Sequence, residues 1–310
     1  MKTPLTGLIA ATVTPLGDDG SLQLDAIGPM IDQLIASGVN GIYVCGSTGE
    51  GMSLTSQERK LVVEASVQAV GGRIPVIVQV GHNSLAEAID LARHAGQAGA
   101  DIISATCPSY FKVNHHQVLA QCMRQIATTT DLPFYYYHIP ALTDSRVDVM
   151  AFLAAAGEIP NFAGMKYTAT ALHEFQSCQR FDDGRYDIVW GCDEMLLAAW
   201  STGAKAAIGS TYNIAAPLYQ RVIDAIESGD FETARAAQFQ SVTTIEIMKQ
   251  YSFHSALKAV MGMLGMPGGP CRLPLTDLDD HETQTLREQL EEVNFFEWCG
   301  HPKQSNGQAS

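Results

Sequence analysis

The chain carries little charge, and less of it positive. Of 310 residues 17% are Asp, Glu, Lys or Arg, with 33 acidic against 19 basic, for a formal net charge of −14. An acidic chain without a basic stripe is a poor partner for nucleic acid or an anionic membrane. No apolar run reaches spanning length, and Met1-Lys-Thr-Pro-Leu-Thr-Gly7 lacks the basic-then-apolar order of a secretory signal. The seven cysteines (Cys45, Cys107, Cys122, Cys178, Cys192, Cys271, Cys299) are odd in number, and no two are spaced as Cys-x-x-Cys. That argues against a disulfide framework or a structural zinc site, and the thiols read as small core residues in a reducing compartment. The expectation is a soluble, cytoplasmic protein that binds neither nucleic acid nor membrane. A dinucleotide fingerprint is also missing: the first strand candidate runs into Thr12-Val-Thr-Pro-Leu-Gly17 rather than G-x-G-x-x-G. This weighs against a doubly wound, Rossmann-like sheet.

What is present is apolar. Hydrophobic residues make up 46%, enough for a large core in one big α/β domain or two smaller ones. Short runs rich in Val, Ile, Tyr and Phe, bounded by Gly, Pro or Asn, recur at 7–13, 41–45, 75–80, 102–105, 133–137, 162–167, 187–191 and 206–209. Segments of helical periodicity lie between most of them, at 24–37, 56–70, 84–98, 115–128 and 171–180. In the first, Leu24, Ile27, Ile31, Leu34 and Ile35 share one face. Thr55-Ser56 and Asn83-Ser84 offer N-caps, and Gly38, Gly71 and Gly99 sit where C-caps belong. Eight strands alternating with helices predict a (β/α)8 TIM barrel over 1–228. Further helices at 231–249, 255–264 and 283–295, after one at 217–228 that closes the barrel, predict a C-terminal helical extension over 229–300. A polar, disordered tail is expected at 301–310.

In such a barrel chemistry belongs at the C-terminal ends of the strands. Lys166, in Ile159-Pro-Asn-Phe-Ala-Gly-Met-Lys-Tyr-Thr168, is the only cation in a short apolar run. A lysine at the end of a buried strand is costly to keep charged, and a neutral amine is a nucleophile toward ketones. The bland alternative is a snorkelling surface lysine. The second strand ends in Gly46-Ser-Thr-Gly-Glu-Gly51, where Ser47 and Thr48 add hydroxyls to exposed N–H groups. That turn suits a carboxylate better than a nucleotide, since no Walker Lys-Ser/Thr follows. The fifth ends in Phe134-Tyr-Tyr-Tyr-His-Ile-Pro140. Alternation places Tyr135 and Tyr137 on one face and His138 on the other, so Tyr137 is the better proton relay. Thr168 shares the side of Lys166. The seventh ends in Trp190-Gly-Cys-Asp-Glu194, where Asp193 and Glu194 could bind hydroxyls, or Asp193 could simply cap the next helix. No neighbouring ligands are spaced for a metal. The eighth ends in Ile208-Gly-Ser-Thr-Tyr-Asn213, with Ser210 as a donor. Spacing alone leaves Tyr110, in a loop after Pro108, undecided.

The motifs Gly46-Ser-Thr-Gly-Glu50, Tyr137-His-Ile-Pro140, Gly164-Met-Lys-Tyr-Thr168, Gly191-Cys-Asp-Glu194 and Gly209-Ser-Thr-Tyr-Asn213, in this order, resemble the pyruvate-dependent class I aldolases. That superfamily includes N-acetylneuraminate lyase and dihydrodipicolinate synthase. The sialic acid lyase branch is the more similar, by the Gly-x-Asp-Glu turn, by Gly-Ser-Thr-Tyr-Asn, and by Leu142 where the synthases carry an arginine. Asp144 departs from the glycine usual there. The resemblance implies Lys166 as the Schiff-base nucleophile and Tyr137 as the proton relay, with Ser47 and Thr48 on the substrate carboxylate. Thr168, Gly191, Asp193, Glu194 and Ser210 would orient the polyhydroxyl part. It implies cleavage of N-acetylneuraminate to N-acetylmannosamine and pyruvate without metal or organic cofactor. It also implies a homotetramer in which Tyr110 approaches a neighbour's site. A related 2-oxo-acid aldolase, dehydratase or synthase, and a non-catalytic sugar-acid-binding barrel, stand as alternatives.

Overall fold

In the computed structural model, which describes residues 4–299, eight short strands pair in parallel and in chain order. They are β1 (Gly7–Ala11), β2 (Gly41–Val44), β3 (Val76–Gln79), β4 (Ile102–Thr106), β5 (Phe134–His138), β6 (Phe162–Tyr167), β7 (Asp187–Trp190) and β8 (Ala206–Gly209). β8 returns to β1, so the sheet closes into the expected (β/α)8 barrel. The tail expected at 301–310 lies outside the described residues.

Strand alternation sorts the side chains into two cores. Ile9, Ala11, Tyr43, Ile77, Tyr135, Tyr137, Val189 and Ile208 cluster together as the lumen filling. Leu8, Ala10, Ile42, Val44, Tyr136 and Trp190 belong to the larger layer between strands and helices. Tyr137 therefore faces the lumen and its neighbours in sequence do not. At the N-terminal end of the barrel the Asp187 carboxylate accepts from Leu5 N (3.0 Å) and the Tyr135 phenol (2.7 Å), which closes that end.

The helices that cover the barrel are α1 (Ile27–Ala36), α2 (Ser56–Val70), α3 (Leu85–Ala98), α4 (His116–Ala127), α5 (Pro140–Thr143), α6 (Val149–Ala156), α7 (Leu172–Arg180), α8 (Leu196–Ser201) and α9 (Tyr212–Glu227). A Thr55–Glu58 capping box starts α2, and the Ser84 hydroxyl accepts from Glu87 N at the start of α3. Gly71 and Gly99 end those helices in the left-handed conformation. Residues 24–26 form a 3-10 turn leading into α1 rather than its first helical turn. Helix α9 starts at Tyr212, earlier than expected. A kink at Ala215 accommodates Pro217, whose ring cannot sit in a regular helix interior.

Beyond the barrel come α10 (Phe231–Met248), α11 (Phe253–Met263), α12 (Asp280–Glu292) and α13 (Phe295–Trp298). The expected helix over 283–295 is thus split and shifted. An Asp279–Glu282 capping box starts it early, and Asn294 breaks it in the left-handed conformation. Helix α10 packs on α8 and α9, and α11 on α9, α10 and α12. Arg272, after α11, clamps the start of α2, with both guanidinium ends on the Glu58 carboxylate and further bonds to the carbonyls of Ser53 and Gly20.

Candidate active site

Lys166 sits near the end of β6, 5% exposed, with its side chain in the lumen. Its Nζ lies 4.2 Å from the centre of the Tyr137 ring and 4.6 Å from that of Tyr43. Among the described residues no carboxylate forms an ion pair with it. The placement follows from register: Lys166 pairs with Tyr137 on one side and with Val189 on the other. Two residues earlier only glycine fits, because a Cβ on Gly164 would stand 1.9 Å from the Asp187 carbonyl oxygen.

Tyr43 was not singled out from sequence. It reaches across the lumen from β2, meets Tyr137 edge to face at 5.7 Å, and donates its phenol to Ser104 Oγ at 3.1 Å. Its signal was its parity with the lumen residues of β2. His138 points outward instead, toward the rings of Tyr136 and Tyr167, and burial pushes its imidazole down to about 4. It is neutral at pH 7 and stands outside the lumen.

After β2 the chain turns tightly back on itself. Gly51 N donates to Gly46 O and Glu50 N to Ser47 O, both at 3.0 Å. A Cβ on Gly51 would overlap the Cys45 carbonyl at 2.0 Å, so the turn demands glycine there. Cys45 and Glu50 adopt positive φ, at 57° and 54°. Among the described residues no acceptor meets the N–H groups of Ser47 or Thr48. Thr48 Oγ1 lies 2.7 Å from Ser210 Oγ, so the turns after β2 and β8 meet at the barrel mouth. The arrangement offers donors to an anion.

Thr168 continues from β6, its N–H bonded to the His138 carbonyl at 2.8 Å. Among the described residues its buried hydroxyl finds no hydrogen-bond partner, and a Cβ on Gly191 would lie 2.1 Å from it. Gly191 thus leaves the room that the Thr168 hydroxyl occupies.

The acidic pair after β7 divides. Asp193 is buried, and its Oδ2 accepts from Thr211 N (2.8 Å) and Thr211 Oγ1 (2.6 Å), tying the turn after β7 to that after β8. Its side chain caps no helix; Met195 occupies the N-cap position of α8. Burial pushes the Asp193 carboxyl up to about 6 against the hydrogen bonds from Thr211. Glu194 is part-exposed at the rim, 3.4 Å from the Nζ of Lys249, the residue that follows α10.

Tyr110 is 77% exposed, outside this lumen, and packs edge to face on the exposed ring of Phe111. The Asn83 side chain holds the loop by accepting from the backbone N–H of Ser109 and Tyr110. Leu142 is also exposed, and Asp144 ends α5 in the left-handed conformation (φ 50°), its N–H on the Pro140 carbonyl. Asp144 therefore adopts the backbone shape that a glycine would supply. Among the described residues no three His, Cys, Asp or Glu side chains are grouped to hold a metal ion. No described helix is long and apolar enough to cross a membrane.

A lysine buried near the end of a strand in a (β/α)8 barrel, against two tyrosine rings, has the chemistry that a class I aldolase needs. The chain belongs to the dihydrodipicolinate synthetase family, whose model matches residues 4–293. It is 36% identical over 306 residues to an N-acetylneuraminate lyase of Rattus norvegicus, covering 96% of each chain. The solved N-acetylneuraminate lyase of Proteus mirabilis superposes with a TM-score of 0.92 at 37% identity, over 94% of this chain and 100% of that one. A dihydrodipicolinate synthase of Aquifex aeolicus superposes with a TM-score of 0.86 at 29% identity, over 94% of this chain and 98% of that one.

Proposed function

We propose that the protein cleaves N-acetylneuraminate to N-acetylmannosamine and pyruvate through a Schiff base on Lys166. The observation that carries this reading is the Lys166 amine itself, buried between the Tyr43 and Tyr137 rings without a carboxylate partner. A buried amine that forms no ion pair among the described residues is available to attack a ketone.

In the open-chain substrate, Lys166 adds to the C2 ketone and water leaves, giving a protonated imine. That cation is the electron sink. Tyr137 relays the proton lost from the C4 hydroxyl, the C3–C4 bond breaks, and its electron pair enters the enamine as the N-acetylmannosamine aldehyde departs. The enamine takes a proton at C3, and water hydrolyses the imine to release pyruvate and restore the lysine. Ser47 and Thr48 hold the carboxylate through N–H and hydroxyl donors, a local solution in a chain whose net charge opposes anions. Thr168, whose hydroxyl finds no partner among the described residues, Gly191, Glu194 at the rim and Ser210 orient the polyhydroxyl part. Asp193 supports that wall by fixing the Ser210–Thr211 turn. The relatives named as N-acetylneuraminate lyases favour this substrate over those of the synthases, as does the exposed Leu142.

Pyruvate release from N-acetylneuraminate, coupled to lactate dehydrogenase, tests the substrate. Borohydride with pyruvate tests the nucleophile, and the expected product is an adduct on Lys166. Trapping without sialic acid turnover would move the protein to another aldehyde partner within the same chemistry. No adduct, or one on another lysine, overturns the mechanism.

A further inference from the structure

Helix α11 reaches the turn after β2 from its first turn and from its middle. His254 and Lys258 stand four residues apart on α11 and so share a face. His254 Nε2 lies 3.0 Å from the Ser47 carbonyl oxygen. Lys258 Nζ lies 2.6 Å from Glu50 Oε1, with both side chains almost wholly buried, and donates to the Pro270 carbonyl at 2.7 Å. Glu50 Oε2 accepts from Arg272 N at 2.7 Å, while Oε1 makes no directed hydrogen bond, so its contact with Lys258 is one of charge.

Two consequences follow for an anion in the turn. The Ser47 carbonyl and the Thr48 N–H belong to one planar peptide unit. A donor that fixes the carbonyl therefore fixes the direction of the N–H that faces the ligand. Glu50 is the one carboxylate in the turn, and a buried, unneutralised carboxylate there would repel a second one. Lys258 cancels that charge.

We infer that His254 and Lys258 are positioning residues for the carboxylate end of the substrate, acting through the Ser47–Glu50 turn without touching the ligand. The inference rests on the reading of that turn given under Proposed function. It makes the helical extension part of the substrate-binding machinery rather than a cover for the barrel.

The test is borohydride trapping on the full chain, titrated with pyruvate and with methyl pyruvate, a similar ketone without the charge. His254→Leu should raise the half-saturating pyruvate concentration roughly fivefold, the effect of one lost hydrogen bond, and leave that for methyl pyruvate unchanged. His254→Gln, whose amide can donate to the same carbonyl, should recover most of the loss. Lys258→Met should raise the pyruvate value by roughly tenfold or more, and adding Glu50→Gln should restore it, because the offending charge is gone. If Lys258→Met fails to fold, the two His254 variants decide alone. An unshifted pyruvate curve in His254→Leu, or equal shifts for both ketones, overturns the inference. A wild-type chain that pyruvate does not label overturns the aldolase reading and this inference with it, which separates the two failures.

Discussion

Asp193 illustrates how a residue can matter to a site without facing it. From sequence it was a hydroxyl binder or a helix cap. The structure turns its carboxylate onto Thr211, so its contribution to the site is the shape of the turn holding Ser210. Nothing in the local spacing announces this, since the partner lies across the barrel mouth and 18 residues on. Lys166 and Tyr137 could be placed in the lumen from sequence because each lies near the end of a strand, where parity fixes its face, and Ser47 and Thr48 stood out only as hydroxyls in the glycine-rich turn that follows β2. Tyr43 was passed over because its only mark in sequence is its parity on β2, which sets it in the lumen without distinguishing it from an ordinary core aromatic. Burial raises the Asp193 carboxyl to about 6 from an ordinary value of 3.8, so the folded chain holds this proton more tightly than the unfolded one. The stability it contributes is therefore fully present below its ordinary value and is lost as pH rises through about 6. Between pH 4.5 and 7.5, the Tm of Asp193→Asn should gain on the wild type by roughly 2–4 °C, the scale of about 2 kcal/mol in a chain of this size. A constant difference across that range would show that the carboxyl does not titrate there.

At the scale of elements, strands and capped helices were readable and uniform ones were not. Strands β6 and β8 have the bounds that their composition predicts, and α2, with its capping box, begins and ends where its caps place it. Helix α6 escaped notice because Val149-Met-Ala-Phe-Leu-Ala-Ala-Ala156 is apolar throughout, so no stripe of polarity reveals its period. The start of α9 was hidden for the opposite reason: its first turn reads as a glycine–hydroxyl loop and Pro217 looks like a first helical residue. Strand β6 gives the sharpest test at this scale. A Cβ at position 164 collides with backbone rather than with a side chain that can move, so β6 must shift against β7. Gly164→Ala should destabilise the chain by about 1–3 kcal/mol, as overpacking commonly does. It should also cut pyruvate trapping by at least tenfold in the fraction that folds, because Lys166 is two residues on. Wild-type Tm and trapping would mean that the strand can relax without moving its lysine.

For the whole molecule, the loops after β4 and β5 carry apolar side chains left open in a single chain. Tyr110 and Phe111, 77% and 83% exposed, stand in the loop after β4, and Leu142, 61% exposed, in the short helix after β5. Contiguous exposed apolar patches mark contact surfaces more often than scattered single residues do, and the rings of Tyr110 and Phe111 pack on each other. The same loop is held in shape by Asn83 rather than left to flex. If the chain forms the homotetramer that the motif resemblance implies, with this loop against a neighbour, both features are accounted for and Tyr110 would approach a second lumen. Sedimentation should then give a particle of about four times the 33.4 kDa chain. Phe111→Asp places a charge where the interface would bury a ring, and should shift the particle to smaller species. If Tyr110 completes a neighbour's proton path, turnover of N-acetylneuraminate should fall with that dissociation by roughly two orders of magnitude, the usual worth of a positioned proton-transfer group. Pyruvate trapping on Lys166 should persist, because the lysine, the carboxylate turn and Tyr137 all come from one chain. A monomer that turns over at the wild-type rate would make Tyr110 a surface residue and the site complete within a single barrel.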